Sequence, residues 1–147
     1  MSRSPDRMQR LVRLRQFREE IAEGVQRTAA AAVREAEHVH EQALAAAEAI
    51  GAWKVRAGSD AIDLGFYQAA IAAEAVAMDN EAARRRERDE ASTASNRAID
   101  ALREAALGHR VARQRHERLQ AEAAIANEKR EFDQLNDLTA AGRGEAR

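Results

Sequence analysis

Apolar residues recur at steps of three and four along the first third of the chain, the spacing of one face of a coiled-coil helix. The pattern predicts a first helical arm over about residues 5–56, and Arg18 is the charged residue that interrupts it. The predicted seam of this arm comprises Leu11, Leu14, Ile21, Val25, Thr28, Ala32, Ala36, Val39, Ala43, Ala46, Ile50 and Trp53.

A second pattern of the same kind predicts a second helical arm over about residues 66–139. The apolar positions nearly vanish between Ala82 and Arg97, so we expect weak packing there and a tendency to bend. The tail 140–147 contains two glycines and is expected to fray. The apolar members of the second pattern are Ile62, Phe66, Ala69, Ala73, Val76, Ile99, Leu102, Leu119, Ile125, Phe132, Leu135 and Leu138.

Residues 57–65 separate the two patterns and predict the tip at which the chain reverses. The run Gly58-Ser59-Asp60 is typical of a turn, and Asp60 can cap the helix that follows it. Gly65 permits a break, which leaves room for a short extra helix at the tip, over about 60–80.

The other end also carries a helix start, because Ser4 can cap a helix whose first residue is Pro5. The fold predicted is all-α, a single long antiparallel two-helix coiled-coil hairpin spanning 1–147. We expect an elongated molecule, with or without the short extra helix at the tip.

Composition indicates that the two arms pack through a thin seam. Of the 66 hydrophobic residues, 36 are alanine, which is a strong helix former but brings only a methyl group to a core. This argues against an apolar enzyme pocket. The net charge of −1 gives no basic field to attract nucleic acid, and no run approaches the roughly 20 apolar residues that cross a bilayer. We expect no nucleic-acid partner and no membrane insertion.

Candidate chemistry is sparse, and each candidate has a structural interpretation beside the functional one. Two overlapping Glu-x-x-His pairs, Glu35–His38 and Glu37–His40, have the spacing of helical metal ligands, but a bundle site needs the motif on two helices. Both pairs fall on one arm, so we favour a solvated polar face. His109 and His116 have no nucleophile to activate. We therefore predict no catalytic residues, metal or cofactor, and a protein that is not an enzyme.

Two surface features stay open to more than one interpretation. The run from Arg84 to Glu90 alternates bases with acids, which favours local ion pairs on a solvated face, with an acidic protein partner as the alternative. Trp53, Phe66 and Tyr67 concentrate the aromatic residues at the predicted tip. They can close the turn as an apolar plug or serve as a docking knob.

Four segments in order carry a resemblance to a known family. They are the basic and apolar opening RMQRLVRLRQFREE, the glycine-containing break near residue 58, the segment FYQAAIAAEAVA, and the close NEKREFDQLNDLTA, which is rich in acids and amides. Together they resemble the FliJ family, the small central-stalk proteins of the flagellar export ATPase, and its injectisome counterparts of the YscO type.

The resemblance implies a non-enzymatic stalk and escort component of the flagellar type III protein export apparatus. Its partners would be the hexameric export ATPase, the cytoplasmic part of the membrane export gate, and export chaperones. The protein would be cytoplasmic and peripheral at the inner face of the cell membrane. We favour the flagellar branch because the C-terminal segment lacks tryptophan. The alternatives are the injectisome stalk protein and a generic coiled-coil scaffold or homodimer unrelated to secretion.

The resemblance also assigns site residues. Two positions depart from the family pattern, since Ala70 stands where a second large residue is common and Glu74 where an apolar one is common. The residues that match the export-gate segment are Tyr67, Gln68 and Ile71. The residues that match the ATPase-facing end are Arg7, Arg10, Arg13, Phe132, Asp133, Leu135 and Leu138.

Overall fold

The protein consists of two long α-helices that pack against each other, so the predicted all-α helical hairpin is confirmed. A computed structural model describes residues 5–59 and 64–146. Helix α1 spans Pro5–Ser59 and helix α2 spans Leu64–Glu145. The chain has no proline after Pro5, and alanine, arginine and glutamate dominate both helices, which explains their length. No helix of the described residues combines the length and apolar character needed to cross a bilayer.

The helix ends differ from the sequence-based boundaries. Helix α1 continues through Gly58 to Ser59, and no described glycine has a positive φ, so these glycines are accommodated as helical residues. Helix α2 begins at Leu64 and runs unbroken past residue 80, which excludes a separate tip helix within the described residues. The helix also persists to Glu145, where fraying from residue 140 had been expected. The predictions for Ser4, Asp60 and Ile62 lie outside the described residues.

The chain divides into two units, each containing a part of both helices. The terminal unit contains the described residues 5–21 and 103–146, and the central unit contains 22–59 and 64–102.

The two helices run antiparallel in both units. In the terminal unit Met8 lies beside Leu119, whereas Arg15, further along α1, lies against the earlier residue Gly108. In the central unit the same order holds, since His40 contacts Glu81 and Gly58 faces Tyr67.

On each helix of the central unit, a row of buried and half-buried residues recurs at steps of three and four and defines its seam, with half-buried Val39 and Ile99 beside it. Alanine is the commonest residue among them, and it includes the buried Ala43, Ala70 and Ala98. On α1 the seam comprises Ala22, Gln26, Ala29, Val33, Ala36, His40, Ala43, Ala47, Ile50, Lys54 and Ala57. On α2 it comprises Tyr67, Ala70, Glu74, Ala77, Glu81, Arg84, Arg88, Ala91, Ser95, Ala98 and Leu102.

This seam is not the one that the larger apolar residues predicted. Leu14, Ile21, Val25 and Trp53 are 46–54% exposed, because the buried face of α1 is rotated by about one residue from the predicted stripe. Ala36, Ala43 and Ile50 belong to the predicted seam and also to the observed one. His40 and Lys54 of this seam have partners on α2. The exposed side chains of Val25 and Trp53 lie beside the seam.

The segment between Ala82 and Arg97 is also packed differently from the prediction. Helix α2 is continuous there, and the seam passes through half-buried Arg84, Arg88, Ala91 and Ser95. The methylene stems of arginine cover part of the seam while the charged heads reach polar partners. This segment has few large apolar residues, and polar side chains occupy most of its seam positions instead.

Candidate functional site

A buried polar cluster lies in the seam of the central unit. His40 of α1 and Glu81 of α2 are 8% and 7% exposed, and His40 Nε2 donates to Glu81 Oε1 at 2.8 Å. On the other side of the ring, Arg88 Nη1 donates to His40 Nδ1 at 3.2 Å. These two contacts match the imidazole tautomer that carries its proton on Nε2.

Glu81 also accepts hydrogen bonds at both carboxylate oxygens from Arg85 on its own helix. Arg85 donates from Nη2 to Glu81 Oε2 at 2.7 Å and from Nε to Oε1 at 3.1 Å. The hydrogen bond from His40 and, after it, those from Arg85 hold the pKa of Glu81 below its ordinary value of 4.5. Because Glu81 has partners on both helices, the cluster binds α1 to α2 at a defined register.

The structure corrects the sequence-based interpretation of the Glu-x-x-His pairs. We predicted a solvated polar face, and His38 fits it, since it is exposed and bonded to Gln42 at 3.1 Å. His40 instead points into the seam, where burial would be costly without the Glu81 and Arg88 partners. Glu35 and Glu37 are exposed. No three acidic, histidine or cysteine side chains of the described ranges are grouped to hold a metal ion.

The arginine-rich run of α2 makes local ion pairs, and the pair of Arg84 with Glu87 has the helical spacing that the sequence predicted. Arg84 Nη1 contacts Glu87 Oε2 at 2.9 Å, and Arg88 Nη2 contacts Asp89 Oδ1 at 3.0 Å. The run is nevertheless not wholly solvated, because Arg84 and Arg88 are half-buried in the seam.

An ion pair and an aromatic pair join the helices near the end of α1 and the start of α2. Lys54 Nζ lies 2.8 Å from Glu74 Oε2, and this contact raises the pKa of Lys54 above 10.5. Trp53 and Phe66 make an edge contact with ring centroids 4.5 Å apart and planes at 65°. Both rings remain more than 40% exposed, so they close the helix pair and also present apolar surface.

Glu74 and Ala70 both lie in the seam of the central unit. Glu74 is the partner of Lys54 there. Ala70 is fully buried, so a large side chain would not fit between the helices at that position.

The export-gate segment predicted from the resemblance lies on the first turns of α2. Tyr67 belongs to the seam, and its ring faces Gly58, where an added Cβ would lie 3.5 Å from Tyr67 Cε2. Gln68 and Ile71 are exposed. The three residues are therefore adjacent, but Tyr67 is half-buried whereas Gln68 and Ile71 are exposed.

The predicted ATPase-facing residues all belong to the terminal unit and are all exposed. An antiparallel pairing of the two chain ends would bring the basic opening beside the C-terminal apolar cluster, but the structure does not pair them. Met8 lies beside Arg118 and Leu119, whereas Phe132 lies further along α2 by about 20 Å at 1.5 Å per residue. The structure therefore separates Arg7, Arg10 and Arg13 from the other four residues: Phe132, Asp133, Leu135 and Leu138.

Several seam residues with clear roles escaped the sequence analysis. In the terminal unit Glu19 Oε2 accepts a hydrogen bond from His109 Nδ1 at 2.5 Å, and the Arg15 side chain covers Gly108. Lys54 and Glu81 were missed in the central unit. A signal was present, because alanine recurs at every seventh position from Ala22 to Ala43, which is the repeat of a coiled-coil seam.

No protein-family model, curated protein or solved structure matches this chain.

Proposed function

We propose that this chain is a non-enzymatic stalk and escort component of a flagellar type III export apparatus. In this role it inserts into the hexameric export ATPase, promotes ATP turnover, and links the ATPase to the export gate and to export chaperones. The proposal starts from the family resemblance of four ordered sequence segments. The paired antiparallel helices are the architecture that this role requires, and the exposed site residues are accessible to partners.

The observation that carries the proposal is the C-terminal part of α2. Beyond Ala123 every described side chain is exposed, although the segment remains helical to Glu145. Phe132, Leu135 and Leu138 are 63–70% exposed. Exposed apolar residues on a helix that lacks a packing partner are typical of a binding surface. In the proposed role this surface faces the ATPase.

A second candidate function, a generic coiled-coil scaffold, is favoured by one observation on α1. Leu14, Phe17 and Ile21 form an exposed apolar stripe beside the seam of the terminal unit, at the three- and four-residue spacing that suits another helix. A scaffold would bind coiled-coil partners through this stripe and would have no effect on an ATPase. The two candidates therefore differ in their response to substitutions at the C-terminal end.

We expect the double substitution Phe132→Ala and Leu135→Ala to reduce stimulation of the cognate flagellar export ATPase by tenfold or more, about 1.4 kcal/mol of coupling. Both side chains are exposed, so helicity should be retained. ATP hydrolysis would be measured against concentration of the stalk chain, with circular dichroism as the folding check. Val55→Ala is the matched control, because Val55 is equally exposed in the central unit. Full stimulation by the double variant would contradict the proposal.

The proposed contact between the start of α2 and the export gate can be tested separately. We expect Gln68→Ala with Ile71→Ala to weaken binding to the cytoplasmic part of the export gate by about tenfold, since both side chains face outward. Tyr67→Phe should have little effect on folding because it retains the ring that faces Gly58. Titration calorimetry would measure the dissociation constants. An unchanged constant for the double variant would remove this segment from the gate contact.

A further inference from the structure

The terminal unit has an apolar groove bordered by arginines. Leu11 of α1 and Leu107 and Val111 of α2 line it, and the two α2 residues are 51% and 39% exposed. Arg15 and Arg115 lie along the same groove. A neighbouring depression on this unit is lined by Met8, Leu119, Arg115 and Arg118. The surface combines an apolar floor with three guanidinium groups.

These arginines have no acidic partner of their own. Within the described part of the chain, no carboxylate lies within ion-pair distance of Arg15, Arg115 or Arg118. Among the described residues that line the groove, Glu104 is the one carboxylate, against those three guanidinium groups. The groove therefore suits an amphipathic helix that carries both apolar and acidic side chains.

The C-terminal segment 125–138 is a helix of that kind. Its exposed apolar residues are Ile125, Phe132, Leu135 and Leu138. At 100° per residue, Glu128 and Glu131 fall within the same band of the helix surface. Neither glutamate makes an ion pair within the described ranges, so both carboxylates are available to a partner. The band therefore carries apolar and acidic side chains together.

This segment cannot reach the groove of its own molecule. Helix α2 is continuous from Leu64 to Glu145 and contains no glycine or proline between Gly108 and Gly142. Folding the segment back would require breaking several turns of good helix formers. The matching acidic helix must therefore come from another molecule, and a second copy of this chain supplies it.

We propose that two copies of this chain associate through their terminal units, with segment 125–138 of each lying along the groove of the other. The contact is reciprocal, so a two-fold axis relates the copies. Ile125, Phe132 and Leu135 cover the apolar floor, and Glu128 and Glu131 face the arginines. The inference does not rest on the proposed function. If both hold, self-association and ATPase binding compete for the same apolar residues.

Charge reversal on each side of the contact tests the proposal. Variant one is Arg115→Glu with Arg118→Glu, and variant two is Glu128→Arg with Glu131→Arg. The mass of each full-length chain would be followed by sedimentation equilibrium from about 1 µM to about 1 mM, without ATPase. We expect wild type to dimerise, and each variant alone to dimerise at least tenfold more weakly because like charges then face each other.

The decisive measurement is the sedimentation of a mixture of the two variants. Each groove then meets a segment of opposite charge, so the mixture should recover a heterodimer with near wild-type affinity. Arg34→Glu with Glu41→Arg is the matched control, because these exposed charges lie in the central unit and should leave dimerisation unchanged. Circular dichroism checks that each variant remains helical. A wild-type monomer across the concentration range, or a mixture that fails to recover, would overturn the proposal.

Discussion

His40 and Glu81 show how one buried pair can replace apolar packing in a coiled coil. A lone imidazole or carboxylate at a seam position would lose hydration without compensation. Here Glu81 receives hydrogen bonds from both helices, and the His40 ring is held on its two nitrogens. Such a pair contributes mainly by defining which residues face each other, since any shift of α1 along α2 leaves buried polar groups unpaired.

The lowered pKa of Glu81 predicts a pH dependence for the stability of the central unit. Because the pKa is lower in the folded state, the stabilisation is present above the ordinary value of 4.5 and is lost as the pH falls through the folded pKa. The groups facing this carboxylate are His40 from α1 and Arg85 from α2, with Arg88 on the far side of the imidazole.

We expect denaturant midpoints of the wild-type chain to fall between pH 5 and pH 3 by more than those of Glu81→Gln, which cannot ionise. Circular dichroism during urea titration at each pH would measure the difference. Glu117→Gln serves as the control, because Glu117 is exposed and its ion-pair partner is Arg113 on its own helix. Equal pH dependence of wild type and Glu81→Gln would show that Glu81 contributes no such linkage.

The packing of α1 on α2 depends on alanine at close-contact positions. Alanine occupies the seam at Ala36, Ala43, Ala70 and Ala98, and no large side chain of the described residues is fully buried. A methyl group contributes only about 0.8 kcal/mol on burial, so each contact is weak and their number matters. The small side chains allow the backbones to approach, which places the pairs Lys54–Glu74 and His40–Glu81 within bonding distance.

Enlarging a seam alanine should therefore destabilise the helix pair even though leucine is more hydrophobic. We expect Ala70→Leu to lower the free energy of unfolding by about 1–3 kcal/mol, because Ala70 is fully buried and an added isobutyl group forces the helices apart. Ala69→Leu, one residue away on the exposed side, should cost little. Urea titrations of both variants would measure this. Equal stability of the two variants would mean that the seam is not closely packed at Ala70.

Packing partners are distributed unevenly along the whole chain. Polar and alanine contacts join the helices of the central unit, and Met8, Arg15 and Glu19 contact α2 in the terminal unit. From Ala124 onward the described residues of α2 are all exposed. An isolated helix is marginal in water, so helical structure in this segment depends on propensity or on a partner.

Amide hydrogen exchange should reveal this difference. At low micromolar concentration we expect amides of residues 125–145 to exchange at least tenfold faster than those of the seam segments 36–50 and 74–98. Mass spectrometry of peptic fragments would measure the rates. Uniform protection of all three segments would contradict the prediction. Protection of 125–145 that rises with protein concentration would agree with the proposed association of two copies.

Much of the architecture follows from local chemistry that the sequence displays. Long runs of alanine, arginine and glutamate without proline after Pro5 favour two extended helices, and the glycine-containing stretch near residue 58 marks where the helix pattern is interrupted. The local pairs of the arginine run, such as Arg84 with Glu87, also follow from spacing on one helix. These features depend on residues close to each other along the chain.

The register and the buried face depended on contacts between residues far apart in sequence. Hydrophobicity favoured Leu14, Ile21 and Val25 for the seam, because larger apolar side chains gain most on burial. The folded chain buries the adjacent face, since His40 and Lys54 gain partners from α2 that lie 41 and 20 residues away along the chain. Such pairing is invisible in one helix considered alone, and alanine is too frequent for its seven-residue repeat to stand out.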